Sequence, residues 1–102
     1  MDIICIDDKF PSEVLEFYKI HGVVTPKKDS IYTIRDKIRH FTGDVGLLLD
    51  QIINPPVPVQ TAFGIINREV TWNIKRFTTL DGKKITEEIE TVKVSENFLN
   101  NN

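Results

Sequence analysis

Apolar and polar positions change their period several times along this chain. Residues Asp2–Asp7, "DIICID", are β-branched and apolar until a double acid stops them, which predicts a short first strand. In "FPSEVLEFYKIHG" the spacing shifts. Val14, Leu15, Phe17 and Tyr18 fall on roughly one face of a helix, with Ser12 placed to cap it and Gly22 to end it. "VVTPKKDS" is turn material. The next run, "IYTIRDKIRHF", is ambiguous in period: Ile31, Ile34 and Ile38 fit a helix, while Ile31–Ile34 is a β-rich block directly after a turn. We read it as a strand over Ser30–Arg35 that continues through a bulge to Phe41. Thr42-Gly43-Asp44 then forms a turn, so that "VGLLLDQII" returns as the second strand of a hairpin.

That second strand ends "GLLLDQIINPPVPV". Prolines 55, 56 and 58 lack the N–H a ladder needs, so pairing should stop by Asn54, leaving Asp50 and Asn54 at the strand's end. "VPVQTAFGIINRE" reads as a loop, unusually apolar for one, which suits a cover for the core or a partner contact. "VTWNIKRF" alternates Val70, Trp72 and Ile74 with polar residues, the clearest half-buried strand, and Asp81-Gly82 marks a tight turn. Beyond it, "TEEIETVKVSENFL" is compatible with a short amphipathic helix through Ile85, Ile89 and Val92, with "ETVKV" as an edge strand the alternative. Short strands linked by turns, without βαβ alternation, predict a mainly β fold: a small, partly open antiparallel barrel with one or two short helices. One domain spans residues 1–102, its core about 2–85 and a C-terminal extension 86–102.

Charge and composition narrow the partners. Thirteen basic and fifteen acidic residues give a net charge of −2, and no basic stripe tracks a phosphate backbone, which argues against extended nucleic acid. A core this small leaves room for a homo-oligomer to add apolar burial. Cys5 alone allows no internal disulfide, "MDIICID" is charged where a signal peptide would be apolar, and no segment reaches membrane-spanning length; a cytoplasmic protein is expected.

Catalytic chemistry finds little to stand on. His21 and His40 lie in unrelated segments without zinc-site spacing, and Cys5 reads as a buried small hydrophobe rather than a nucleophile. There is no Gly-x-Ser-x-Gly elbow and no phosphate-binding glycine loop. The expectation is a non-enzyme with no cofactor and no metal. More pointed are polar residues at strand ends: Arg35 after "IYTI", Asp50 after "GLLL", Asn54 before the prolines and Arg76 after "WNIK". Either arginine can simply pair with a surface acid such as Asp36 or Asp50. Alternatively, Arg35 and Arg76 present planar donors to a phosphate or carboxylate, with Tyr32 as an aromatic face; Trp72 belongs to the core by its alternation.

"CIDD", "PKKDSIYTIRD", "GLLLDQIINPP" and "WNIKRFTTLDG", in this order over residues 3–82, resemble a family of small uncharacterised phage and prophage proteins. The resemblance implies a Src-homology-3-like barrel and a host-cell setting; Phe10–His21 looks longer than in many relatives, and the Val57–Ile66 segment is variable among them. With the strand-end arginines, it leads us to expect a non-catalytic phage-type binding protein. The sharp form is a counter-defence protein that sequesters a small anionic nucleotide signal through Tyr32, Arg35, Asp50, Asn54 and Arg76, its pocket completed by a second protomer. The rival is a protein-interaction or virion accessory module using barrel edges and the Val57–Ile66 loop against a phage or host protein. A small nucleotide hydrolase ranks third.

Overall fold

Ile3 and Cys5, alternate residues of β1 (Asp2–Cys5), are fully buried in the computed structural model, which describes residues 1–89. That alternation turns one face of β1 to the core, and the strand is paired antiparallel on both sides, with β2 (Ile31–Arg39) and with β7 (Phe77–Thr79), so it lies inside the sheet. On its far side β2 pairs with β3 (Val45–Leu49), and β3 with the two-residue β6 (Trp72–Asn73). The resulting order is β6-β3-β2-β1-β7, all neighbours antiparallel.

The two edge strands of that sheet are consecutive in sequence. A single 3-10 turn, Ile74–Arg76, carries the chain from β6 to β7. Opposite edges of a flat five-stranded sheet would lie about 19 Å apart, whereas four residue steps reach at most about 14 Å. The sheet must therefore curl until its edges approach, and because β6 and β7 are not paired it stays open along that seam. The sequence reading took "VTWNIKRF" as one continuous strand. Its burial alternation is right, since Val70, Trp72 and Ile74 are all buried, but the Asn73 side chain accepts from the Lys75 amide and starts the turn that breaks the strand.

Trp72, Leu47, Leu49, Val45, Ile74 and Phe77 cluster in the buried core. Burying each such side chain is worth about 1.5–3 kcal/mol. Phe10 and Tyr18 meet the Trp72 ring edge-on, at 5.9 and 5.7 Å between centroids, and so seat helix α1 (Ser12–His21) against the core. Ser12 is the first helical residue rather than a cap: Pro11 occupies the cap position and no side chain bonds the exposed amides. The far end is as expected, Gly22 adopting the left-handed conformation (φ 70°) that a C-terminal cap requires. Val14, Phe17 and Tyr18 are half-buried, while Leu15 lies off that stripe and is exposed.

Two boundaries differ from expectation. β3 stops at Leu49 instead of running towards Asn54, because after the Asp50 amide bonds the Thr33 carbonyl the chain turns and sends Ile52 inward. The apolar segment read as a loop is a hairpin, β4 (Val57–Thr61) and β5 (Gly64–Arg68), a separate two-stranded sheet. Pro58 sits within β4, which has a neighbour on one side only, the setting where a missing N–H is tolerated. The predicted β2 bulge and the Gly43 turn are both present: register shifts between Ile34 and Asp36, and Gly43 (φ 94°) donates to the His40 carbonyl. Of the segment 86–99, residues 86–89 carry neither helix nor strand and the rest lies outside the described residues.

Candidate functional site

The bulge makes Arg35 the extra residue of β2, without a partner in the ladder register. Its Nε donates to the Leu49 carbonyl at 3.1 Å, and Nη2 donates to the Ile52 carbonyl at 3.5 Å and to both carboxylate oxygens of Glu69 at 2.9 and 2.8 Å. Glu69, not Asp36 or Asp50, is thus the ionic partner of Arg35. The same Glu69 accepts from the Asn54 amide at 3.0 Å. Asn54, buried, spends its side chain on Val24: Oδ1 accepts from the Val24 amide at 2.8 Å and Nδ2 donates to its carbonyl at 2.9 Å.

Arg35 and Asn54 therefore converge, but on an acid of the chain itself. Arg76 is committed elsewhere: its guanidinium lies 3.9 Å from the Phe10 ring centroid, donates to the Asp7 and Lys9 carbonyls and pairs with the Asp7 carboxylate at 3.5 Å. Tyr32 is buried edge-on to Phe77, its Oη accepting from the Lys27 amide at 2.8 Å. Asp50 is exposed, and its carboxylate takes no hydrogen bond among the described residues. As placed, Arg35, Asn54, Tyr32 and Arg76 tie loops to the sheet.

A second cluster forms where the β2–β3 turn meets the hairpin. His40 Nδ1 lies 2.7 Å from Arg68 Nη2, and its Nε2 lies 2.7 Å from Thr71 Oγ1. A guanidinium can only donate, so Nδ1 must be the acceptor and the ring neutral, with its proton on Nε2 facing Thr71. Burial pushes the His40 pKa below its ordinary value, the Arg68 charge adds to that, and Asp44 opposes it. The packing admits no side chain at Gly46: a Cβ there would collide with Thr71 Oγ1 and lie 2.7 Å from His40 Nε2.

Arg39, His40, Phe41, Phe63 and Arg68 line a recess of about 160 Å³ beside this cluster. Phe63 is 98% exposed and Phe41 62%. The backbone at Phe63 is tied down. Thr61 Oγ1 accepts from the Phe63 amide at 3.2 Å and donates to the Gly64 carbonyl at 2.7 Å, stapling the hairpin turn under the exposed ring. This cluster is not visible in the sequence, because His40 and Arg68 are 28 residues apart and the apolar segment between the prolines and Glu69 reads as a loop. The available signal was Val57/Val59 and Ile66/Arg68 in period-2 alternation about Ala62-Phe63.

A larger apolar recess of about 300 Å³ opens between α1 and β4, lined by Val14, Phe17, Tyr18, Val57, Val59 and Val70. Cys5 is buried and its thiol donates to the Asp7 carbonyl; burial raises its pKa, which keeps it a thiol rather than a nucleophile. Among the described residues no group of three His, Cys, Asp or Glu could hold a metal, and no helix is long and apolar enough to cross a membrane. Compared with protein-family models, curated proteins and solved structures, the chain finds no match.

Proposed function

We propose that this chain is a non-catalytic protein-interaction module that docks through the tip of its β4–β5 hairpin. The observation that carries the reading is Phe63, almost fully exposed on a turn that Thr61 staples from below, with exposed Phe41 across the same recess. Apolar rings held out on ordered backbone lose little entropy on binding, which suits an anchor better than a spacer. Sequestration of a small anionic nucleotide by Arg35 and Arg76 is the weaker reading, because their donors already serve the chain's own acceptors. A Src-homology-3-like barrel fits the 3-10 link between the two sheet edges, and the phage-like motifs suggest that the partner is a phage or host protein met in the host cytoplasm.

Photo-crosslinking tests this directly. A benzophenone side chain is placed at position 63, or as a control at Ile20, which is exposed on α1, and the chain is irradiated in the cells that naturally make it. One discrete adduct from position 63 and none from position 20 is expected. The same adducts from both, or none from either, overturn the proposal.

A further inference from the structure

Arg68 differs from the other three arginines of the chain. Arg35 pairs with Glu69, Arg39 with Glu87 and Arg76 with Asp7. Arg68 is partly buried, yet among the described residues it meets no carboxylate within 4.0 Å, and its one hydrogen-bond partner is the neutral His40 ring. A guanidinium carries five N–H donors in a planar fork suited to a carboxylate, and here one is used to orient the group while its charge stays uncompensated. His40 is itself fixed, held by Thr71 on its other nitrogen and occupying the space a side chain at Gly46 would need. Arg68 is thus a positioned cation on the wall of the recess that the exposed rings of Phe41 and Phe63 also line.

Resting on the docking reading above, we infer that the partner at this recess is an acidic, apolar peptide segment: a carboxylate received by Arg68, with a neighbouring apolar side chain between Phe41 and Phe63. Charge complementarity selects the acid, because the cations lining the recess are Arg39, which pairs with Glu87, and Arg68, which among the described residues pairs with no carboxylate. The apolar half follows from the rings, whose removal from water supplies the affinity a lone exposed ion pair lacks.

The test is display selection of random peptides on the immobilised full chain, followed by NMR titration of the selected peptides. Expected are sequences with Asp or Glu within a few residues of Phe, Trp or Leu. Changing that acid to its amide should weaken binding about tenfold, Arg68→Gln should do the same without adding to it, and Arg39→Gln should change it less than about threefold. The peptide-side change reads the contact on the unaltered protein, so it decides the matter even where Arg68→Gln disturbs folding. If amide peptides bind as well as acidic ones while Phe63→Ala abolishes both, the acid preference is wrong and the docking reading stands. If Phe63→Ala changes nothing, or no peptide is selected, both fall. Shifts at the Arg68 Nε–H produced by ADP and not by the peptides assign the recess to a small anion and overturn the inference.

Discussion

Arg35 and Glu69 stand 34 residues apart in sequence and meet through one Nη2 and both carboxylate oxygens, at 2.9 and 2.8 Å. Their side chains are only 30% and 17% exposed, and Glu69 also holds the Asn54 amide, so this is a partly desolvated knot rather than a surface pair. Glu69→Ala strands a guanidinium and an amide together and should cost about 2–3 kcal/mol. In a double-mutant cycle with Arg35→Ala, measured by urea unfolding, the pair should show a coupling of about 1–2 kcal/mol. Additive effects of the two changes would reduce it to an ordinary exposed salt bridge.

Gly46 is held by space and not by backbone angle. Gly46→Ala drives a methyl against Thr71 Oγ1 and Cβ and against His40 Nε2. Destabilisation of about 1–3 kcal/mol is expected from overpacking. Thr71→Gly, which removes both Thr71 atoms, should cost less in the Gly46→Ala background than in the parent chain. Equal costs in the two backgrounds, read from unfolding midpoints, would show that the strand relaxes away from the contact.

What could be read from the sequence follows from which interactions leave a local trace. The first strand, the Gly22 end of α1, the β2 bulge and the Gly43 turn depend on neighbours a few residues away, and all are legible. The hairpin at 57–68 was not, because a proline excludes a central strand but not an edge, and edge status is a property of the whole sheet. Arg35 and Asn54 were recognisable as strand-end polar groups, yet their shared partner Glu69 carries no periodic mark and is brought to them only by tertiary closure. For the same reason nothing in the sequence pairs His40 with Arg68, 28 residues away.

The His40 bridge predicts acid sensitivity. Arg68 from β5 and Asp44 from the β2–β3 turn are the charged groups that act on the ring, with uncharged Thr71 on its other nitrogen, and the folded pKa lies below the ordinary 6.5. As pH falls, the unfolded chain takes up this proton first. His40 therefore contributes stability in full above about pH 6.5, and that contribution is lost as pH falls through the folded value. NMR titration of the His40 ring should give a pKa below 6.5 that rises in Arg68→Gln, and His40→Gln should flatten the fall of the urea midpoint on acidification. A ring that titrates at or above 6.5 would contradict the bridge.

Asn54 separates a structural role from the ligand-binding role its position before the prolines suggested. Its amide group closes a two-bond ring with the backbone of Val24, at 2.8 and 2.9 Å, and so pins the segment leaving α1 to the start of the proline run. Asn54→Ala leaves a partly buried N–H and C=O without partners and should cost about 2–3 kcal/mol. Asn54→Asp should be worse above pH 5 than the nearly isosteric change suggests, since a carboxylate cannot donate to the Val24 carbonyl and brings a second negative charge close to Glu69. Hydrogen exchange offers the separating readout: in Asn54→Ala the Val24 amide should lose protection, and in Asn54→Asp, whose carboxylate can still accept from it, it should lose less, while Leu47 and Leu49 on the interior strand β3 follow only the change in global stability. Unchanged protection at Val24 would mean that the segment is held by packing of its neighbours and that the Asn54 amide is free to serve a ligand after all.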